Sequence, residues 1–246
     1  MNTIIEIKEV VKSFGKTQNE QLVLNKINLN IEQGEFLAIH GESGSGKSTL
    51  LNIIAGFENP NKGYVEILGQ NISQMNEKEK ALFRRKNLGF VFQEYHLIPE
   101  LTAIENVMFP LLLNKVSKMK ARKEAKALLE YVGIEEGYNK LPEEFSGGQR
   151  QRIAVARALI TKPAIILADE PTGNLDSNNS TKIMETSVYK GYKRDKIEMR
   201  GDRAEMSDFP LYLNTVAGGL DRRDQTIGGF SFVVKIYAVP VVEIIG

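Results

Sequence analysis

Gly41-Glu42-Ser43-Gly44-Ser45-Gly46-Lys47-Ser48-Thr49 is the stretch on which the fold turns. It has the spacing G-x-x-x-x-G-K-[ST], whose four set positions coincide by accident in about one per cent of chains of ordinary composition and this length. Phe36-Leu37-Ala38-Ile39 just before it is an apolar run of strand type, and Leu50-Leu51-Asn52-Ile53-Ile54-Ala55 after it reads as a helix stopped at Gly56. A glycine-rich turn between strand and helix aims backbone N–H groups and a helix N-terminus at an anion. Gly41, Gly44 and Gly46 permit positive φ and close approach to phosphates. Lys47 supplies a mobile positive charge for the outer phosphates, and the Ser48 hydroxyl is set to ligate Mg²⁺. Glu42, Ser43, Ser45 and Thr49 complete the loop. A plain Gly/Ser linker is the competing reading, and the flanking strand and helix speak against it.

A second anion device lies about a hundred residues on, at Phe145-Ser146-Gly147-Gly148-Gln149-Arg150-Gln151-Arg152. Ser146 with Gln149 three later forms a capping box, so a helix opens here, and the paired Gly147 and Gly148 leave its N-terminus bare. The plain alternative is a capped helix with no ligand. Its place shortly before the apolar run Ala164-Ile165-Ile166-Leu167-Ala168, which ends in Asp169-Glu170, favours a site. Such runs are strands buried on both faces, whose C-terminal ends hold ligands in α/β sheets. Asp169 suits Mg²⁺ and Glu170 suits the water that attacks a terminal phosphate. Without the phosphate loop, the pair would read as an acidic helix start. Gln93, ending the strand Leu88-Gly89-Phe90-Val91-Phe92, is placed to sense metal and water with its amide.

Elsewhere the chain alternates as strands at Ile5 and Ile7, at Ile27, Leu29 and Ile31, and at Tyr64–Leu68, which implies an antiparallel sheet beside the phosphate-loop strand. Glu77 to Lys86 is helical in composition. Thr102-Ala103-Ile104-Glu105 is a capping box, and Lys118 to Val132 is an amphipathic helix ended by Gly133, which suggests an inserted helical subdomain over about 94–160.

Composition narrows the function. The 246 residues suit one domain with a subdomain. Lys+Arg 32 against Asp+Glu 31 leaves a net charge of +1, with no basic footprint for nucleic acid. The absence of cysteine removes disulfides, thiolate nucleophiles and Cys-based zinc sites. Met1–Lys8 lacks signal-peptide organisation, and no apolar stretch approaches bilayer length, so any membrane role would come through docking on an embedded partner.

Taken in order, the phosphate loop, Gln93, Ser146–Arg152, Ile165–Glu170 and Pro171-Thr172-Gly173-Asn174-Leu175-Asp176 resemble the ATP-binding subunit of an ABC transporter over roughly residues 1–185. Leu97–Val107 and Ala168–Asp176 are similar to the lipoprotein-release and macrolide-export branch. The resemblance implies an α/β fold with a RecA-like P-loop NTPase core, an antiparallel β subdomain and an inserted α-helical subdomain, all within one ABC ATPase domain over 1–246. It implies ATP and Mg²⁺ as cofactors, with Lys47, Gln93 and Glu170 catalytic and Ser48, Gln93 and Asp169 at the metal. It also implies a head-to-tail dimer, with itself or a paired ATPase subunit, in which the Ser146 helix of one subunit caps the ATP held by Lys47 of the other. Phe14 matches the ring that stacks on adenine, and Asp176 the loop that crosses the dimer interface. Tyr95 and His96 match the contact with an integral-membrane permease, on the cytoplasmic, inner face of the membrane.

One departure stands out. The family pattern has a histidine about two dozen residues past Asp176, whereas this chain has only His40 and His96, both upstream. Gly201 stands nearest the expected position, and the segment 187–246 is atypical in texture; diverged, frameshifted and foreign sequence are the readings for it. Slow hydrolysis is the expectation. Two rival functions remain at this stage, a nucleotide-gated binding module with little turnover and a soluble ABC ATPase of DNA repair or translation.

Overall fold

A computed structural model of the chain describes residues 3–15, 20–41 and 44–169, together with the backbone of Lys193–Met199 and Phe232–Ala238. Glu42, Ser43, Glu170, Asp176 and most of 187–246 lie outside the described residues.

Two sheets share one core. β1 (Thr3–Phe14), β2 (Gln21–Glu32), β4 (Lys62–Ile67) and the short β5 (Gln70–Asn71) form an antiparallel sheet in the order β2-β1-β4-β5. The second sheet has the order β6-β7-β9-β3-β8, with β3 at Glu35–Gly41, β6 at Leu88–Val91, β7 at Ile165–Asp169, β8 at Lys193–Met199 and β9 at Phe232–Ala238. The pairs β6–β7 and β3–β8 are parallel, and β9 runs antiparallel between β7 and β3. Ile5, Ile31, Ile39, Ile54, Ile67 and Ile165 are fully buried in the core between the sheets and α1 (Lys47–Ile54).

The alternation in β1 and β2 is interrupted. Ile5 and Ile7 are buried on odd positions, then Val10 and Lys12 on even ones. The switch occurs at Glu9, whose φ is 50°, inside a register shift between Ile7 and Val10. β2 makes the same change at Lys26, also with φ 50°, between Leu24 and Ile27. Asn28 joins the two bulges: its Oδ1 accepts from the Glu9 N–H at 3.0 Å and its Nδ2 donates to Glu9 Oε1 at 2.7 Å and Lys26 O at 3.0 Å. An extra residue in each strand flips the face that follows, and this turns the end of β1, Lys12 and Phe14, onto the Val10 side.

A second apolar cluster is built by α3 (Ala103–Leu113), α4 (Lys118–Tyr131) and α5 (Gly147–Leu159), with Ile104, Val107, Ala125, Leu129, Ile153 and Ala156 buried. The capping boxes expected at Thr102–Glu105 and Ser146–Gln149 both form. Hydrogen bonds from the Thr102 hydroxyl and N–H hold the Glu105 carboxyl below its usual range. Asn106, fully buried, ties down the segment entering α3: its Oδ1 accepts from Ile98 N–H at 2.7 Å, and its Nδ2 donates to Ile98 O at 3.0 Å, Leu101 O at 2.8 Å and Thr102 O at 3.2 Å. α2 (Glu77–Asn87) leads into β6. Among the described residues no helix is long and apolar enough to cross a membrane.

Candidate nucleotide site

The phosphate loop joins β3 to α1, as the motif requires. Gly46 caps α1 at φ 93°, and a Cβ there would stand 3.0 Å from Leu24 Cδ2 and 3.1 Å from Val23 Cγ1, so both the backbone and the space demand glycine. Gly44, at φ 81°, faces open space. The N-cap of α1 is glycine and supplies no side-chain cap, and a helix N-terminus without one suits an anion.

Lys47 is 5 % exposed, and its ammonium donates to Gly41 O at 2.9 Å and lies 3.3 Å from Ser45 Oγ, among further interactions. It therefore folds back over its own loop, with its charge where phosphates would lie. Asp169, at the C-terminal end of β7, accepts a hydrogen bond from the Ser48 side chain and feels the Lys47 charge. Burial pushes its carboxyl pKa up, while the Ser48 hydrogen bond and Lys47 pull the other way. The pairing Val91↔Ala168 brings Gln93 to the same end of the sheet, two residues beyond β6, with its side chain exposed.

Phe14 is 41 % exposed and pairs with Gln21 at the start of β2. Two residues along β2, Val23 Cγ1 stands 3.1 Å from where a Gly46 Cβ would be, so the strand start that pairs with Phe14 also borders the phosphate loop.

The Ser146 helix stands on the other cluster. Ser146 Oγ accepts from Gln149 N–H at 3.3 Å, and Gln149 Oε1 accepts from Ser146 N–H at 2.9 Å. Its first turn is less bare than the paired glycines suggest: the Tyr95 hydroxyl stands 3.2 Å from where a Gly147 Cβ would be, and Arg150 lies over the Tyr95 ring at 5.4 Å. The chain leaves β6 and turns sharply enough to bring Tyr95 back onto α5. Tyr95 and His96 have φ of 61° and 44°, and the half-buried Arg157 of α5 donates to Tyr95 O at 2.7 Å and to His96 O. Burial lowers the pKa of that guanidinium. Neither the periodicity nor the spacing of the sequence signals Arg157 or the Tyr95–Gly147 contact, because both join segments distant in the chain, and no pattern marks Asn106, whose bonds go to an irregular segment just upstream.

Alongside this loop runs a groove of about 580 Å³ between α2, β6, the end of α3 and α5. Its apolar walls include Phe57, Leu82, Phe90 and Leu113, and Arg84 and Arg85 add positive charge. Phe57, Leu82 and Leu113 are exposed at 48 %, 46 % and 46 %.

The residues present fit a magnesium nucleotide. Ser48 and Asp169 offer adjacent hard oxygen donors at the loop mouth. Among the described residues no group of three or more His, Cys, Asp or Glu forms a cage. A strand, a glycine turn, a helix opened at a glycine and a carboxylate on another strand of the same sheet define a P-loop nucleotide-binding cassette with a RecA-like core.

The comparisons make the class specific. The ABC transporter family matches residues 24–173. An uncharacterized ABC transporter ATP-binding protein of Methanocaldococcus jannaschii is 52 % identical over 188 residues, 76 % of this chain and 83 % of that protein. The lipoprotein-releasing system ATP-binding protein LolD of Saccharophagus degradans is 47 % identical over 180 residues, 73 % of this chain and 79 % of that one. An ATP-binding cassette solved as a dimer in a post-hydrolysis state with ADP and Pi superposes with a TM-score of 0.74 at 37 % identity, covering 82 % of this chain and 97 % of the other. The chain belongs to the ABC transporter family, as one of its P-loop ATP-binding cassettes.

Proposed function

We propose that this chain is the ATP-binding and ATP-hydrolysing subunit of a lipoprotein-release-like or macrolide-export-like transporter, working as one ABC ATPase domain with a helical subdomain over about 94–160. The observation that carries the reading is the meeting of Ser48, Lys47 and Asp169 at one loop. Phe14 stacks on adenine. The N–H groups of the 41–49 loop and Lys47 hold the phosphates, and Ser48, Asp169 and Gln93 hold Mg²⁺, which neutralises charge on the phosphates when bound. Glu170 takes the proton of the attacking water. Two such subunits pair head to tail, Ser146, Gly147, Gly148 and Gln149 of each closing on the nucleotide of the other, with Asp176 near the interface. The solved dimer with ADP and Pi supports this arrangement.

An integral-membrane permease docks in the groove beside Tyr95 and His96, which holds the chain at the inner face of the membrane; the exposed Phe57, Leu82 and Leu113 support that partner. Nucleic acid is not a partner. Hydrolysis is slow, because no histidine follows Asp176. The direction of β9 supports this: paired Asp169↔Val234 and Gly41↔Phe232, it brings its N-terminal end to the site, where a parallel strand would bring the residue that follows it.

The test is Glu170→Gln. The swap preserves shape, removes the base and eases repulsion near the terminal phosphate, so MgATP-dependent dimers should appear by light scattering while residual turnover disappears. A variant that stays monomeric at saturating MgATP with intact binding overturns the two-site clamp.

A further inference from the structure

We infer that Lys12 is a positioning residue for the Phe14 ring and through it strengthens binding of the base; the inference rests on the reading of Phe14 as the adenine platform. Lys12 is 9 % exposed near the end of β1. Its ammonium is 2.9 Å from Glu58 Oε2, 2.9 Å from Asn59 O and 4.8 Å from the centroid of the Phe14 ring. An ammonium has three donors, so with two used by Glu58 and Asn59 the ring face is, among the described residues, the acceptor left for the third.

Glu58 and Asn59 lie in the turn that follows α1, the helix opened by the phosphate loop. Asn61 in the same turn accepts from Ser13 N–H at 2.7 Å through Oδ1 and donates its own N–H to Val11 O at 2.8 Å. The Phe14 end of β1 is thereby fastened to the far end of the phosphate-loop helix, which sets the spacing between ring and phosphates. Phenylalanine has no hydroxyl to orient it, so the cation and these bonds do the orienting.

The charge acts on the base as well. A cation over one face of an aromatic ring is attracted by its quadrupole and draws π density toward itself, which improves stacking of an electron-rich purine on the opposite face. The ring is 41 % exposed, so it is not enclosed by protein. Glu58 balances the Lys12 charge, keeping burial tolerable and confining the effect to the ring.

Calorimetric titration of the full chain with MgADP, and separately with inorganic tripolyphosphate and Mg²⁺, tests this without interference from hydrolysis. Lys12→Met keeps the length of the side chain and removes the charge; it should weaken MgADP about two- to tenfold and leave tripolyphosphate affinity unchanged. Lys12→Arg should restore MgADP binding, since a guanidinium also sits over rings. In a Phe14→Leu background, Lys12→Met should have no further effect. Equal losses for both ligands, no loss in Lys12→Met, failure of Lys12→Arg to rescue, or a full-sized loss persisting without the ring would each overturn the inference. Should Phe14→Leu leave MgADP affinity unchanged, the stacking reading falls and takes the inference with it; a loss in Phe14→Leu with none in Lys12→Met sinks the inference alone.

Discussion

Two helix N-termini among the described residues carry sequences suited to anions, and they are finished differently. α1 begins at glycine, leaves its first-turn N–H groups unserved by a side-chain cap and carries Lys47 at its first position. α5 begins at serine, and its capping box already uses the Gln149 N–H, with the Tyr95 hydroxyl close to Gly147. An uncapped terminus with a charge beside it gathers phosphate by itself, whereas a capped one offers only what remains of its dipole. On the proposed reading the first is a binding site and the second a closing surface, of use once a nucleotide is already held. Their foundations differ too: α1 rests on the isoleucine-rich core between the sheets, and α5 on the helical cluster braced by Asn106 and Arg157.

The sharpest way to separate the two halves is through Asn106. Asn106→Leu strands the Ile98 N–H and the Leu101 carbonyl, while the carbonyls of Ile98 and Thr102 keep their bonds from the Leu101 and Asn106 N–H groups, and it should lower stability by about 3–5 kcal/mol in urea titration. MgADP affinity of the folded fraction should persist, because the phosphate loop stands on the other core. Joint loss of both would show that the halves form one energetic unit.

Lys47→Ala tests the first half alone. Losing a charge-assisted phosphate contact should weaken MgATP about 10- to 100-fold by calorimetry, with the fold intact by circular dichroism. Unchanged affinity would remove Lys47 from the site.

Ser146→Ala gives the smallest effect and discriminates best. Removing the cap should lower stability by about 1 kcal/mol, leave monomer affinity for MgADP unchanged, and weaken the ATP-dependent dimer of Glu170→Gln seen by light scattering. If monomer affinity fell instead, α5 would contact the nucleotide of its own subunit.

Much of the local structure was legible in the chain. The phosphate loop and both capping boxes are short-range devices, in which residues three to five apart satisfy one another's backbone groups, so spacing alone reveals them. The buried run Ile165–Ala168 was equally plain, since a strand covered on both faces has no polar side to mask it. The helical cluster followed from one periodicity and one stop signal, and α4 ends beside Gly133 at φ 74°.

What tertiary structure decided lies between distant segments. The bulges at Glu9 and Lys26 break the alternation after Ile7 and Leu24, and the Asn28 side chain that joins them belongs to only one of the strands, so the face on which Phe14 emerges could not be counted from the sequence. The neighbours of β3 are likewise non-local: β9, nearly two hundred residues later in sequence, enters antiparallel beside β7 because strand order depends on which backbone edges are left to pair. Asp169 reaches Ser48 only when β7 and β3 share a sheet. The sequence by itself determined which residues have the chemistry to hold a nucleotide, because that is written in side-chain type and short spacing. The tertiary structure decided which of them meet, because register, strand order and burial arise from contacts whose partners lie far apart along the chain.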